Sequence, residues 1–134
     1  MKYFRWISKR IVKKRRKISV RKNSNHKEYL ELKETARALV KNRLEYFNQH
    51  YKFVFGKVAI RNQRSRWGSC SSKGNLNFNF RIATLPSDLA DYIIVHELCH
   101  RGQFNHSQKF WDLISETIPN YEELIINLRK IKIR

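Results

Sequence analysis

The sequence is organised around one predicted helix, in which two histidines and a glutamate follow a run of apolar residues. The polar residues are His96, Glu97 and His100. The apolar residues before them are Leu89, Ala90, Tyr92, Ile93, Ile94 and Val95. A pattern that is apolar nearly all round is typical of a buried helix. Because buried imidazoles and carboxylates are costly without a partner, the stretch predicts a buried polar site on a helix.

The spacing of these polar residues predicts that the site binds a metal. On a helix His96 and His100 lie one turn apart on one face, so both imidazoles can bind a single ion with Glu97 beside them. A catalytic zinc ion takes three protein ligands and keeps one position open for water. His106 is the next histidine and the candidate third ligand. Glu97 is then the candidate general base that acts on the water.

Length and composition indicate one globular domain. The chain has 134 residues, of which 41% are hydrophobic and 13% aromatic. No apolar run approaches membrane-spanning length, and the basic front end lacks the apolar stretch of a signal peptide. Cys70 and Cys99 are too few for a disulfide framework and are predicted to be reduced thiols. Together these features favour a cytoplasmic protein without a membrane partner.

The positive charge is concentrated at the front of the chain. The formal net charge is +18, and residues 1–22 contain eleven Lys or Arg and no acid. We assign residues 1–26 to a basic segment and residues 27–134 to the folded domain. The segment is predicted either to attract nucleic acid or another polyanion, or to be a solvated tail. Apolar residues within it could also dock on the domain; they are Phe4, Trp6, Ile7, Ile11, Val12, Ile18 and Val20.

Periodicity predicts an α+β fold. Apolar residues recur every three or four positions over residues 27–50, which predicts an amphipathic helix with His26 and His50 as surface residues. The period then changes to two over residues 57–61, 66–70 and 76–80, which predicts a small three-stranded antiparallel sheet. In the third strand Leu76, Phe78 and Phe80 are expected to face the metal-site helix. The opposite face is assigned to Asn77, Asn79 and Arg81.

Helices are predicted on both sides of the metal motif. Pro86 and Asp88 fit the first turn of the metal-site helix. Ser107 is a good N-cap beside His106, and Phe110 and Trp111 after it are predicted to be core residues. A last amphipathic helix follows Pro119; its apolar residues are Tyr121, Leu124, Ile125, Leu128 and Ile131.

Several of these motifs, taken in order, resemble the YgjP-like metallopeptidase family, which is related to the SprT-like and WLM proteases. They are Ile60-Arg61, Arg66-Trp67-Gly68-Ser69-Cys70-Ser71, His96-Glu97-Leu98-Cys99-His100, Asn105-His106-Ser107 and Phe110-Trp111. The resemblance covers residues 58–129; the front end is shorter and more basic than in fuller members.

The resemblance to this family implies a minimal zincin-like fold. It also implies that His96, His100 and His106 are zinc ligands and that Glu97 is the catalytic glutamate. The strand formed by residues 67–70 would border the cleft, which makes Trp67, Gly68 and Ser69 candidate substrate-binding residues.

Spacing excludes a metzincin, which requires glycine three residues after the second histidine and a methionine turn. Gln103 stands at that position, Gly102 comes one residue early, and the only methionine is Met1.

Other ligand sets and functions are weaker alternatives. A thermolysin-like site would take a downstream glutamate, with Glu116, Glu122 and Glu123 as candidates. A site using Cys70 or Cys99 is disfavoured because Cys99 points away from the histidine face. Manganese or cobalt could replace zinc. We expect a zinc-dependent peptidase acting on peptides or proteins, ahead of a metal-dependent hydrolase of nucleotides or other phosphate compounds, or a basic nucleic-acid-associated protein with non-catalytic zinc.

Overall fold

The computed structural model describes residues 18–133, with side chains from residue 25 onward. Four helices and a three-stranded sheet form the α+β fold that the sequence predicts. The helices are α1 (Ile18–Tyr51), α2 (Ser87–Cys99), α3 (Gln108–Thr117) and α4 (Tyr121–Arg129). The strands are β1 (Val58–Arg61), β2 (Gly68–Cys70) and β3 (Leu76–Asn79), followed by a 3-10 helix, Phe80–Thr84.

Helix α1 is longer than predicted. It begins at Ile18 instead of near residue 27, because residues 18–26 contain no glycine or proline that would end it. It ends where Lys52 adopts a left-handed conformation with φ of 57°. The Asn48 side chain holds that end, accepting from the Phe53 amide and donating to the Phe53 carbonyl, both at 2.9 Å. The prediction for the front of the basic segment, residues 1–17, lies outside the described residues.

The sheet is mixed, so the prediction of a purely antiparallel sheet is wrong. Its strand order is β1-β3-β2, with β1 parallel and β2 antiparallel to β3. The antiparallel pairing of β2 with β3 agrees with the prediction. The chain between β1 and β2 instead crosses β3, which places β1 and β2 on opposite sides of the central strand.

The residues at the end of β3 are also placed differently from the prediction. Phe80 is buried but belongs to the 3-10 helix. Asn79 and Arg81, assigned to the opposite face, are 0% and 4% exposed. Asn79 donates to the carbonyls of Gln63 and Arg66 at 2.8 and 2.9 Å, so its amide bonds to the crossing segment. A buried amide of this kind requires such partners, which explains why it faces inward.

Helix α2 is buried, as its apolar pattern predicts. Every residue from Tyr92 to Cys99 is buried. Asp91, at the edge of this run, accepts from both Nε and Nη2 of Arg43 at 2.8 and 2.9 Å, which ties α2 to α1. Pro86 precedes the first turn and Asp88 lies within it, as predicted.

Helix α3 begins after Ser107, as predicted, but the cap forms differently. In the described structure the Ser107 hydroxyl makes no capping hydrogen bond, and its carbonyl accepts from the amides of Phe110 and Trp111. Both aromatic residues are core residues, as predicted. No helix among the described residues has the length and apolar character needed to cross a membrane.

Candidate metal centre and active site

Helix α2 and the turn after it bring His96, His100 and His106 together. The ligand nitrogens of the three residues all lie within 4.8 Å of one another. His100 caps α2 in a helical conformation, so it keeps the same face as His96 one turn earlier. Nε2 of His106 lies 2.9 Å from Nε2 of His100, so the two nitrogens converge on one point. The structure therefore brings together the three histidines that the sequence selected.

The chemistry of these donors fits a metal ion. Burial lowers the pKa of His96, His100 and His106, the last to about 3. Neutral imidazole is the form that binds a metal. Two imidazoles bound to one tetrahedral zinc have nitrogens about 3.3 Å apart, given Zn–N bonds of about 2.0 to 2.1 Å, which is close to the His100–His106 separation. Three nitrogens leave a fourth position for water.

Groups outside the triad orient two of its rings. The Tyr92 hydroxyl lies 3.1 Å from Nδ1 of His96, one turn earlier on α2. Nδ1–H of His100 donates to the Gln103 carbonyl at 3.2 Å. With Nδ1 engaged in this way, Nε2 of each ring is the nitrogen directed to the metal position. Tyr92 was not among the site residues predicted from the sequence, although its position four residues before His96 on a buried helix places the two side chains on one face.

Phe110 forms the apolar support of the triad. Its ring is stacked on His100 with centroids 4.5 Å apart, and it lies 5.1 and 5.0 Å from the rings of His96 and His106. The residue is fully buried at the start of α3. Phe110 is thus a core residue, as predicted, and its ring also fixes the three imidazoles relative to one another.

Glu97 lies on α2 directly under strand β2. It is 2% exposed, and burial raises its pKa to about 8, against the opposing effect of Arg66. A Cβ atom added to Gly68 would lie 3.0 Å from both Cγ and Oε2 of Glu97. Glycine at position 68 therefore lets the strand approach the carboxylate closely. A buried carboxylate beside a histidine triad, with a pKa brought close to the neutral range, is a candidate for proton transfer because it can both accept and donate a proton there.

The other residues singled out from the sequence lie as follows. Trp67 and Gly68 are buried, and Ser69 is half-buried on β2.

The alternative ligands lie away from the triad. Glu116 is on α3, where its Oε1 lies 3.0 Å from Nε2 of His50. Exposed positions on α4 are occupied by Glu122 and Glu123. His26 and His50 are surface residues, as predicted. Cys70 and Cys99 are free thiols, and Cys99 is buried.

The raised pKa of Glu97 predicts a pH-dependent stability of the metal-free protein. Between pH 6.5 and 8 the folded protein keeps a proton on Glu97, whereas the unfolded chain, with a pKa near 4.5, has lost it. Because the folded state binds more protons at this group, the contribution of Glu97 to the free energy of unfolding falls as pH rises. At about 1.4 kcal/mol per pH unit, that contribution falls by about 2 kcal/mol over this interval. Urea unfolding of the chelator-treated parent and Glu97→Gln proteins at the two pH values measures it as a difference.

Glu97→Gln is the control, because it removes the proton of Glu97 and leaves the other groups in place. The three histidines act in the opposite direction: burial lowers their pKa in the fold, so the protons that the unfolded chain still binds on them near pH 6.5 are lost as pH rises, and their contribution to stability increases up to about pH 7.5. The Cys70 thiol, with a pKa of about 11, stays protonated. The Glu97→Gln protein should therefore lose no stability between the two pH values, and the parent should change by about 2 kcal/mol less favourably than the variant. An equal change in the variant and the parent would contradict this assignment of the proton.

The fold and the histidine site together define a metallopeptidase of the α+β class. The chain belongs to the YgjP-like metallopeptidase family, since the YgjP-like metallopeptidase domain matches residues 3–130. The match thus includes most of the basic front end, beyond the region in which the sequence motifs are found. A search of curated proteins finds no match.

Two solved structures share the fold. One is the metallopeptidase zymogen abylysin of Pyrococcus abyssi, with a TM-score of 0.61 and 22% identity over 71% of this chain and 99% of that chain. The other is the metallopeptidase zymogen jannalysin of Methanocaldococcus jannaschii, with a TM-score of 0.60 and 19% identity over 68% of this chain and 94% of that chain. At these identities the similarity concerns the fold.

Proposed function

We propose that the protein is a zinc-dependent peptidase in which His96, His100 and His106 hold zinc and Glu97 is the general base. The observation that carries the proposal is the convergence of three neutral imidazoles beside one buried carboxylate. Family membership and the two structural neighbours, which are metallopeptidase zymogens, support the same chemistry.

Zinc bound there would polarise a water molecule and the substrate carbonyl and would lower the pKa of that water. The residues of the chain supply the rest. Glu97 accepts the proton of the attacking water and passes it to the leaving amine, as a general base and then a general acid. Phe110 and the burial of α2 exclude bulk water from the histidine rings. Tyr92 orients the ring of His96, and the Gln103 carbonyl orients the ring of His100.

Strand β2 is the proposed substrate-binding edge. It pairs with β3 on one side, and among residues 18–133 no strand pairs with its other side. An extended peptide could add to that edge by main-chain hydrogen bonds. Gly68 places this edge against Glu97, so a peptide bound at residues 67–69 would pass beside the carboxylate. In this role Trp67 and Gly68, which are buried, would contact the peptide through their backbone groups. The half-buried Ser69 side chain would lie beside the peptide.

Zinc analysis and a hydrolysis assay test the proposal together. The purified protein should carry about one zinc per chain, as three nitrogen ligands and an open position require. It should cleave members of a quenched fluorescent peptide library, lose that activity when the metal is chelated, and recover it with zinc. Manganese and cobalt are the matched additions that decide between metals. Cleavage of nucleotides without cleavage of any peptide would favour the phosphate-compound hydrolase instead.

A further inference from the structure

Positive and negative side chains are segregated along this chain. All eleven acidic residues lie outside residues 46–87, a stretch that contains the entire sheet. The basic residues within it are Lys52, Lys57, Arg61, Arg64, Arg66, Lys73 and Arg81. The sheet and its connections therefore present cations without any carboxylate of their own.

Two of these cations lie on the segment that crosses from β1 to β2, residues 62–66, which we call the arginine loop. Arg66 is exposed and Arg64 half-exposed. Among residues 25–133 neither forms an ion pair; the ion pairs found there involve Arg37, Arg43 and His50. Residues 1–24 and 134 contain no aspartate or glutamate. Glu97, the carboxylate whose burial-raised pKa Arg66 partly lowers, is buried beneath β2 and forms no ion pair with it, so both guanidinium groups remain available to a ligand.

The arginine loop is held rigidly from beneath. Asn79, which is fully buried, donates to the carbonyls of Gln63 and Arg66. Arg81, 4% exposed, donates from Nη1 to the Gln63 carbonyl at 3.0 Å. The backbone N–H of Asn79 donates to the Trp67 carbonyl at 2.8 Å. The buried Arg81 guanidinium and Asn79 side-chain amide thus fix the backbone of an exposed loop. A fixed backbone preorganises the side chains that the loop carries.

The arginine loop leads directly into the candidate active site. Gly68, which contacts Glu97, is two residues beyond Arg66. At about 3.3 Å per residue, the backbone of Arg66 therefore lies within about 7 Å of Gly68. A peptide on the open edge of β2 would continue past Arg66 and Arg64.

We propose that the arginine loop binds acidic side chains of the substrate, so that the enzyme prefers peptides with glutamate or aspartate close to the cleaved bond. The inference rests on the proposed peptidase function. Arg66 and Arg64 present planar guanidinium groups, which bind carboxylates by paired hydrogen bonds. An acidic peptide fits the site better than a nucleic acid does, because the adjacent aromatic residue, Trp67, is 3% exposed and cannot stack on bases.

A pair of fluorogenic peptides that differ only by glutamate or glutamine at one position tests the inference. Moving that position along the peptide locates the preferred subsite. With the wild-type protein at low salt, kcat/KM should be about three- to tenfold higher for the glutamate peptide at the best position. The preference should decline as salt rises. In the Arg64→Gln/Arg66→Gln double variant the ratio should fall to about one, because no guanidinium remains to bind the carboxylate.

Lys41→Gln is the control for loss of positive charge away from the loop, since it removes a cation from an exposed position on α1, and it should leave the ratio unchanged. Arg66→Lys keeps the charge without the paired geometry and should retain part of the preference. Melting temperature and zinc content verify that each variant folds. A wild-type protein without the preference, or a double variant that keeps it, overturns the inference.

An equilibrium binding assay separates this inference from the proposed function. If the wild-type protein cleaves neither these peptides nor any member of the peptide library, the peptidase proposal fails, and binding of the labelled peptides decides the inference alone. Tighter binding of the glutamate peptide, weakened by the double variant and not by Lys41→Gln, supports it. Equal binding of the two peptides overturns it. The inference is also overturned if an oligonucleotide of equal charge binds the wild-type protein more tightly than the acidic peptide does, and if the double variant no longer binds the oligonucleotide more tightly.

Discussion

Replacing Glu97 by glutamine should lower kcat/KM for peptide hydrolysis by about 10² to 10⁴-fold while zinc content and fold are retained. A positioned general base contributes about this factor, and an amide cannot accept the proton of the attacking water. Glutamine has nearly the same shape, so it fits under Gly68, where the backbone approaches the Glu97 side chain closely. It is also neutral, so its burial carries no cost of desolvating a charge. Steady-state kinetics and zinc analysis of the same preparation measure both halves of the prediction.

Glu122→Gln is the control for this substitution. Glu122 is exposed in the first turn of α4, so the change removes a carboxylate without touching the histidine triad. Its activity should match that of the parent protein. Activity of the Glu97→Gln protein within a few-fold of the parent would end the general-base assignment, whatever the control shows.

The candidate site could be predicted from the sequence because its determinants are local. His96, Glu97 and His100 lie on one helix, whose spacing and apolar surroundings can be seen in a short window. His106 required only the assumption that a turn follows the helix. The structure brings these residues together because the turn at residues 101–107 is short and Phe110 packs against all three rings.

The sheet topology could not be predicted because it depends on contacts far apart in the sequence. A hairpin between neighbouring strands is the expectation from local turn signals. Here the hydrogen bonds of Asn79 to the carbonyls of Gln63 and Arg66 span 16 and 13 residues, and they hold the crossing segment that separates β1 from β2. Alternation within β3 assigned Asn79 and Arg81 to the opposite face. Their burial follows from tertiary partners that no local pattern contains.

The start of α1 was placed too late for a related reason. The apolar residues of α1 that pack on α2 and on the 3-10 helix begin near Tyr29, so their periodicity predicts that the helix begins there. Residues before Tyr29 can continue a helix without packing, provided that no glycine or proline interrupts it. Hydrophobic periodicity therefore reports the buried part of α1 rather than its full length, Ile18–Tyr51.

His106→Ala should remove zinc and, with it, peptidase activity. Losing one of three ligands should weaken zinc binding by more than the 10 to 100-fold that changes outside the ligand set cost. His106 is the most informative of the three ligands to replace, because it is half-buried whereas His96 and His100 are buried in the packing around Phe110. Truncating it should disturb the core least. Competition with a chelating dye measures the affinity, and the melting temperature of the metal-free variant verifies the fold.

Glu116→Ala tests the remaining alternative for the third ligand. Glu116 lies on α3 with Oε1 3.0 Å from Nε2 of His50, and its side chain is 47% exposed. We therefore expect its removal to leave zinc affinity and activity unchanged, while His106→Ala abolishes both. The reverse result, with zinc retained in His106→Ala and lost in Glu116→Ala, would mean that α3 turns its carboxylate into the site. In that case the 2.9 Å approach of the His100 and His106 rings would be packing and not metal coordination.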